Sequence, residues 1–82
     1  MKLLKFGASW CLPCKNLDSR LEKIKLNIDM LKYDVEEEVE LTEIWKVRNV
    51  PTTILLDDDG HEVKRWTGNF DPNVELKAFI ER

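Results

Sequence analysis

Cysteine is scarce in this chain: Cys11 and Cys14 are the only two among 82 residues. Leu12 and Pro13 lie between them, and a disulfide closing so short a loop restricts the unfolded chain far less than a long-range cross-link does. That argues against a structural staple and leaves redox chemistry or metal ligation. Histidine is scarcer still, with His61 alone. A structural zinc ion generally takes four protein ligands, so one Cys-x-x-Cys pair and one histidine after a turn make zinc the weaker reading, and no metal is expected. Long apolar runs are missing too. None approaches the roughly 18 residues of a membrane helix, and Met1-Lys2-Leu3-Leu4-Lys5 meets charge before any signal-peptide core forms. The expectation is a cytoplasmic protein with no membrane partner. Nor does one sign of charge dominate: 13 basic residues, spread from Lys2 to Arg82, face 16 acidic ones for a net charge of -3. That gives no support to nucleic-acid binding. With three glycines and three prolines scattered as punctuation, no linker or low-complexity tract divides the chain, and residues 1–82 are expected to form a single domain.

What is present is the material of a packed core. Apolar residues make up 43% of the chain and charged ones 35%, the balance of a globular protein. A domain this short buries only about 60–65% of the surface its unfolded chain exposes, so its margin of stability is thin. Lys2 to Phe6 is a short apolar run ended by Gly7 and reads as a buried strand. Ser9 is placed to cap a helix opening near Cys11, with Pro13 tolerated in a first turn whose amides have no intrahelical partner. Cys14, Leu17, Leu21 and Ile24 then share one helix face. Met30 to Val35 reads as a second strand, parallel to the first because a helix connects them. Glu36 to Val47 reads as a helix with carboxylates at its N-terminus. Thr52 to Leu56, the Asp57-Asp58-Asp59-Gly60 turn and Glu62 to Thr67 read as a hairpin. Asp71 as cap, Pro72 at the first helical position, and Leu76, Phe79 and Ile80 on one stripe close the chain with a third helix. The order is βαβαββα, an α/β chain.

The chemistry concentrates at the cysteine pair. Only a thiolate is nucleophilic, and a free cysteine with a pKa of about 8.5 is mostly protonated at neutral pH. At a helix entrance the unpaired amides and the positive end of the dipole favour the Cys11 thiolate, and Lys15 adds positive charge nearby. Cys14, one turn deeper on the core-facing stripe, is within bonding reach. This predicts a reachable nucleophile, Cys11, and a shielded resolving cysteine, Cys14. Two packing cysteines without activity are the plainer alternative.

Trp10-Cys11-Leu12-Pro13-Cys14-Lys15, followed by Val50-Pro51-Thr52 and Gly68, resembles the thioredoxin family across nearly the whole chain. The family's extra N-terminal strand and helix are missing, which makes the length closer to that of glutaredoxins. The resemblance implies a thioredoxin-like fold with a four-stranded mixed sheet flanked by three helices. It implies thiol–disulfide oxidoreductase activity with no cofactor beyond a redox-active Cys11–Cys14 disulfide. It also implies that Pro51 is cis and packs near that disulfide, that the Val50 backbone pairs with an extended partner segment, and that Trp10 and Gly68 line the same surface. The partners it implies are disulfide-containing proteins, ribonucleotide reductase among them, and a thioredoxin reductase or another dithiol reductant, met by a monomer.

Three positions depart from the family pattern. Lys5 stands where thioredoxins have a buried aspartate assigned to proton transfer, so that role does not carry over. The favoured expectation is that its stem snorkels to the sheet edge, and the alternative is an ammonium beneath the site favouring thiolate. Lys32 matches the family's lysine on the second strand and is either a further influence on the site or simply solvated. Leu12 replaces a common glycine, and Gly7 a bulky aromatic.

Two other functions compete with a protein-disulfide reductase. Glutaredoxin-like use of glutathione is disfavoured by Asn69-Phe70-Asp71 after Gly68, where a paired-glycine and acidic pattern is expected. A thioredoxin-like module that docks peptides at Val50-Pro51 without turnover is the other.

Overall fold

Continuous burial along the first strand sets the architecture. In β1 (Lys2–Gly7) every residue after Lys2 is buried, so both faces of the strand are covered, as in a strand at the middle of a layered α/β sheet. The computed structural model describes residues 1–24 and 28–80. Its elements follow in the order β1, α1 (Leu12–Lys23), β2 (Asp29–Asp34), α2 (Val39–Ile44), β3 (Thr52–Leu56), β4 (Glu62–Thr67) and α3 (Glu75–Ile80). The sheet order is β2-β1-β3-β4. β1 runs parallel to β2, with Lys2 opposite Asp29 and Gly7 opposite Asp34. It runs antiparallel to β3, with Lys2 opposite Leu56 and Lys5 opposite Thr53, and β3 pairs antiparallel with β4. The mixed βαβαββα sheet is the one anticipated.

Because side chains alternate across a strand, the two faces hold separate cores. Leu3 and Leu55 meet Leu17 and Leu21 of α1, Leu76 of α3, Trp66 and Phe70. Leu4, Phe6, Ile54 and Leu56 face the other way, against Tyr33, Val35, Leu41, Trp45 and Val47. Leu17 is fully buried and Leu21 nearly so, and truncating either to alanine costs about 2–5 kcal/mol. On the first face Trp66 stacks on Phe70 with ring centroids 4.6 Å apart and meets Phe79 edge-on at 5.9 Å, which ties α3 to the sheet.

Element ends differ from the expectation, each for a local reason. Trp10 lies in a turn closed by the Cys11 N–H donating to the Ala8 carbonyl at 3.1 Å. Cys11, not Ser9, is therefore the N-cap of α1, with φ -91° and ψ 102°. The expected Glu36–Val47 helix shrinks to Val39–Ile44 because Asp34 gathers the intervening chain into a turn: its carboxylate accepts from the Glu36 N–H at 2.8 Å, and its carbonyl accepts from Glu37 and Glu38 at 3.1 and 2.8 Å. α2 then ends with Lys46 N–H to Glu43 and Val47 N–H to Thr42, both at 3.0 Å, the paired bonds of a Schellman cap. Asp71 does cap the last segment, accepting from the Asn73 N–H at 3.0 Å, but residues 72–74 form a turn before the helix begins at Glu75.

Candidate functional site

The site is the first turn of α1, where it meets the carboxyl end of β1 and the loop entering β3. Capping by Cys11 has a chemical consequence, because the sulfur at the N-cap accepts the Cys14 N–H at 3.2 Å. A sulfur held there faces first-turn amides with no helical partner, and those amides stabilise negative charge on it. No acidic residue lies in that turn to oppose the effect. Pro13 sits in the turn without breaking it, since its missing N–H falls where none is needed.

Cys11 and Cys14 are joined in a disulfide with Cα atoms 5.3 Å apart. They form a small apolar cluster with Ala8, packed by Val35 and Val50. This packing corrects one expectation. Cys11 is only 5% exposed and Cys14 2%, so in the disulfide state Cys11 is not openly accessible. The exposed surface belongs to its neighbours: Trp10 is 68% and Leu12 66% exposed.

The Val50–Pro51 peptide bond is cis. Pro51 is buried, and its carbonyl accepts the Gly68 N–H at 2.8 Å. Thr52 Oγ1 steadies the same loop by donating to the Asn49 carbonyl at 2.6 Å. Of the expected docking residues, Val50 packs against the cysteine pair, and Gly68 is tied to Pro51, the next residue along, by the hydrogen bond to its carbonyl. Trp10 lines a cavity together with Val50, its indole N–H donating to the Glu36 carboxylate at 2.8 Å. That cavity, of about 280 Å³, is also walled by Val35, Thr42, Val47 and Arg48.

The three lysines separate. Lys15 is exposed on α1. Lys32 has a half-exposed side chain and pairs with Glu22 at 3.2 Å, the solvated alternative. Lys5 does not snorkel to the sheet edge. The residue is 4% exposed, and its Nζ lies 2.9 Å from Asp18 Oδ1. It stays inside because α1 covers its face of β1 and offers a carboxylate there. Asp18 escaped the sequence reading, although its position four residues after Cys14, on the same side of one helix, was a usable signal. Glu36 carried no signal beyond membership of an acidic run, since its partner Trp10 is 26 residues away.

Comparison with known proteins agrees with this geometry. The family model for thioredoxin matches residues 1–82. This chain belongs to the thioredoxin family. Among relatives, the SPbeta prophage-derived thioredoxin-like protein YosR of Bacillus subtilis is 42% identical over 81 residues, covering 99% of this chain and 96% of that protein. Thioredoxin of Staphylococcus epidermidis is 33% identical, covering 100% of this chain and 81% of its own. Thioredoxin 1 of Thermosipho africanus superposes with a TM-score of 0.85 at 34% identity, covering 100% of this chain and 92% of that one. As a member of the thioredoxin family carrying the paired cysteines, the chain is a thiol–disulfide oxidoreductase. Among the described residues no helix is long and apolar enough to cross a membrane.

Proposed function

We propose that this thioredoxin-family chain reduces disulfides in other proteins, as a single cytoplasmic domain, with Cys11 as nucleophile and Cys14 as resolving cysteine. The Cys11 thiolate attacks one sulfur of the partner's disulfide. A Cys11–partner bond forms, the partner's S–S bond breaks, and its other sulfur leaves as thiolate. Cys14 then attacks the Cys11 sulfur, closing the Cys11–Cys14 disulfide and expelling the second partner sulfur. The two electrons come from the dithiol, and a thioredoxin reductase or another dithiol restores it. Trp10, Val50, Pro51 and Gly68 form the surface on which an extended partner segment lies, pairing with the Val50 backbone. No further cofactor or metal takes part.

The observation that carries this reading is the Cys11 sulfur at the helix N-cap, 3.2 Å from the Cys14 N–H. Insulin reduction, run with a thioredoxin reductase and separately with glutathione and its reductase, tests it. Turnover in the first system and not the second is expected. The Cys11→Ser variant should lose turnover, and Cys14→Ser should accumulate a mixed disulfide visible on a non-reducing gel. Binding of partners undiminished by Cys11→Ser, with no turnover by the native chain, would instead indicate a docking module.

A further inference from the structure

Two departures from the family pattern, Lys5 for an acid and Gly7 for an aromatic, meet at one point in space. A Cβ built on Gly7 would lie 2.6 Å from Lys5 Nζ and 3.3 Å from Cys14 Sγ. The Lys5 ammonium and the Cys14 sulfur are therefore at most about 6 Å apart, within the range over which a charge shifts a neighbour's titration. A Cβ at position 7 would force the end of the Lys5 side chain out of its present place. Glycine at 7 and lysine at 5 act as one arrangement.

The ammonium is held by Asp18. Asp18 Oδ1 is buried and accepts no conventional hydrogen bond, so the 2.9 Å contact with Lys5 Nζ is what compensates both burials. An ammonium has three N–H donors, which leaves Lys5 able to serve a second anion. Cys14, four residues before Asp18 on the same helix, is the nearby group that becomes anionic during the reaction. A cavity of about 370 Å³ reaches the Cys14 side of the site, with Lys5, Gly7 and Asp18 in its wall. Its outer residues Ser9 and Lys15 are exposed, so solvent has a route in.

We propose that Lys5, held by Asp18 and admitted by Gly7, is a positioning residue for the resolving step that stabilises the Cys14 thiolate beneath the active-site disulfide. When Cys14 resolves the mixed disulfide, its proton passes to water in the cavity and its charge is met by the Lys5 ammonium. The Cys14–Cys11 bond then forms, the Cys11–partner bond breaks, and the partner's sulfur carries the electron pair away as thiolate. The carboxylate that thioredoxins place on the strand is here supplied by the helix, and a cation takes the strand position. The other titratable groups lining the same cavity are Lys15 on α1, Lys32, Tyr33 and Asp34 on β2, and Glu37 after it. All are left in place by the variants below.

The test isolates the second step. Reduced protein treated with one equivalent of Ellman's reagent releases one thionitrobenzoate as Cys11 is capped, and a second as Cys14 displaces the other; stopped-flow absorbance follows the second release against pH. Lys5→Met combined with Asp18→Leu removes both partners, so that no charge is stranded. Its profile should have a midpoint about one pH unit or more above that of the native chain, while the first release is unchanged. Gly7→Ala, which pushes the ammonium away, should move the midpoint in the same direction in the native background and not in the Lys5→Met/Asp18→Leu background. If the double variant does not fold, the shift in Gly7→Ala decides alone. Coinciding midpoints in folded protein would overturn the proposal. Absence of the first release from the native chain would instead overturn the assignment of Cys11 as nucleophile, so the two failures are distinguishable.

Discussion

The Gly68 N–H donates to the Pro51 carbonyl at 2.8 Å, joining the end of β4 to the residue that enters β3. Gly68 makes this bond at φ +88°, a conformation that side chains with a Cβ resist. A Cβ there would meet nothing within 4 Å, so substitution carries a conformational cost and no steric one. Gly68→Ala should destabilise the chain by about 1–2 kcal/mol in urea unfolding and raise the KM for a protein disulfide. An unchanged midpoint would show that the backbone relaxes to another conformation.

Trp10 offers the complementary case. It is 68% exposed and its indole bonds to Glu36 at the surface. Trp10→Ala should change stability by no more than about 0.5 kcal/mol, the usual range for surface positions, while weakening reduction of protein disulfides more than that of small ones. Equal losses on insulin and on a small aromatic disulfide would remove Trp10 from the docking surface.

The hairpin turn sets a pH dependence far from the active site. Asp57 Oδ1 accepts from the His61 N–H at 2.9 Å and the Asp59 N–H at 3.0 Å. The bond from His61 is the main reason its carboxyl titrates below the ordinary 3.8. A carboxyl whose folded pKa is depressed adds stability that is fully present above the unfolded value and fades as pH falls through the folded one. The gap in urea midpoint between the native chain and Asp57→Ala should therefore hold from pH 7 to about 5 and shrink below about pH 4. A gap that grew on acidification would reverse the sign argued here.

Lys46 closes α2 at φ 54°, the left-handed C′ position where glycine is the usual residue. Lys46→Gly should stabilise the chain by about 0.5–1 kcal/mol, read as a rise in thermal midpoint. A fall would mean that the lysine makes a compensating interaction.

Periodicity alone defined much of this molecule. The short apolar run from Lys2 to Phe6, the Cys14, Leu17, Leu21 stripe and the turn at Asp57 to Gly60 each encode a local geometry, and the order of seven elements follows from patterns of this kind. Helix ends were less legible, because they depend on which of several oxygens captures the chain. Asp34 shortened α2 and Cys11 displaced Ser9 as cap, and neither outcome is contained in a run of residue types.

At the active site the sequence by itself determined the two cysteines, their spacing and their helical placement, since one turn of helix relates residues three apart wherever it sits. Only the tertiary structure decided that Val35 and Val50 pack against the cysteine cluster, that Trp10 bonds to Glu36, and that Lys5 stays inside with Asp18. Each of these joins residues from different elements. Local propensity has no bearing on such pairs; they arise when β1, α1 and the Pro51 loop pack together and exclude water from the space between them.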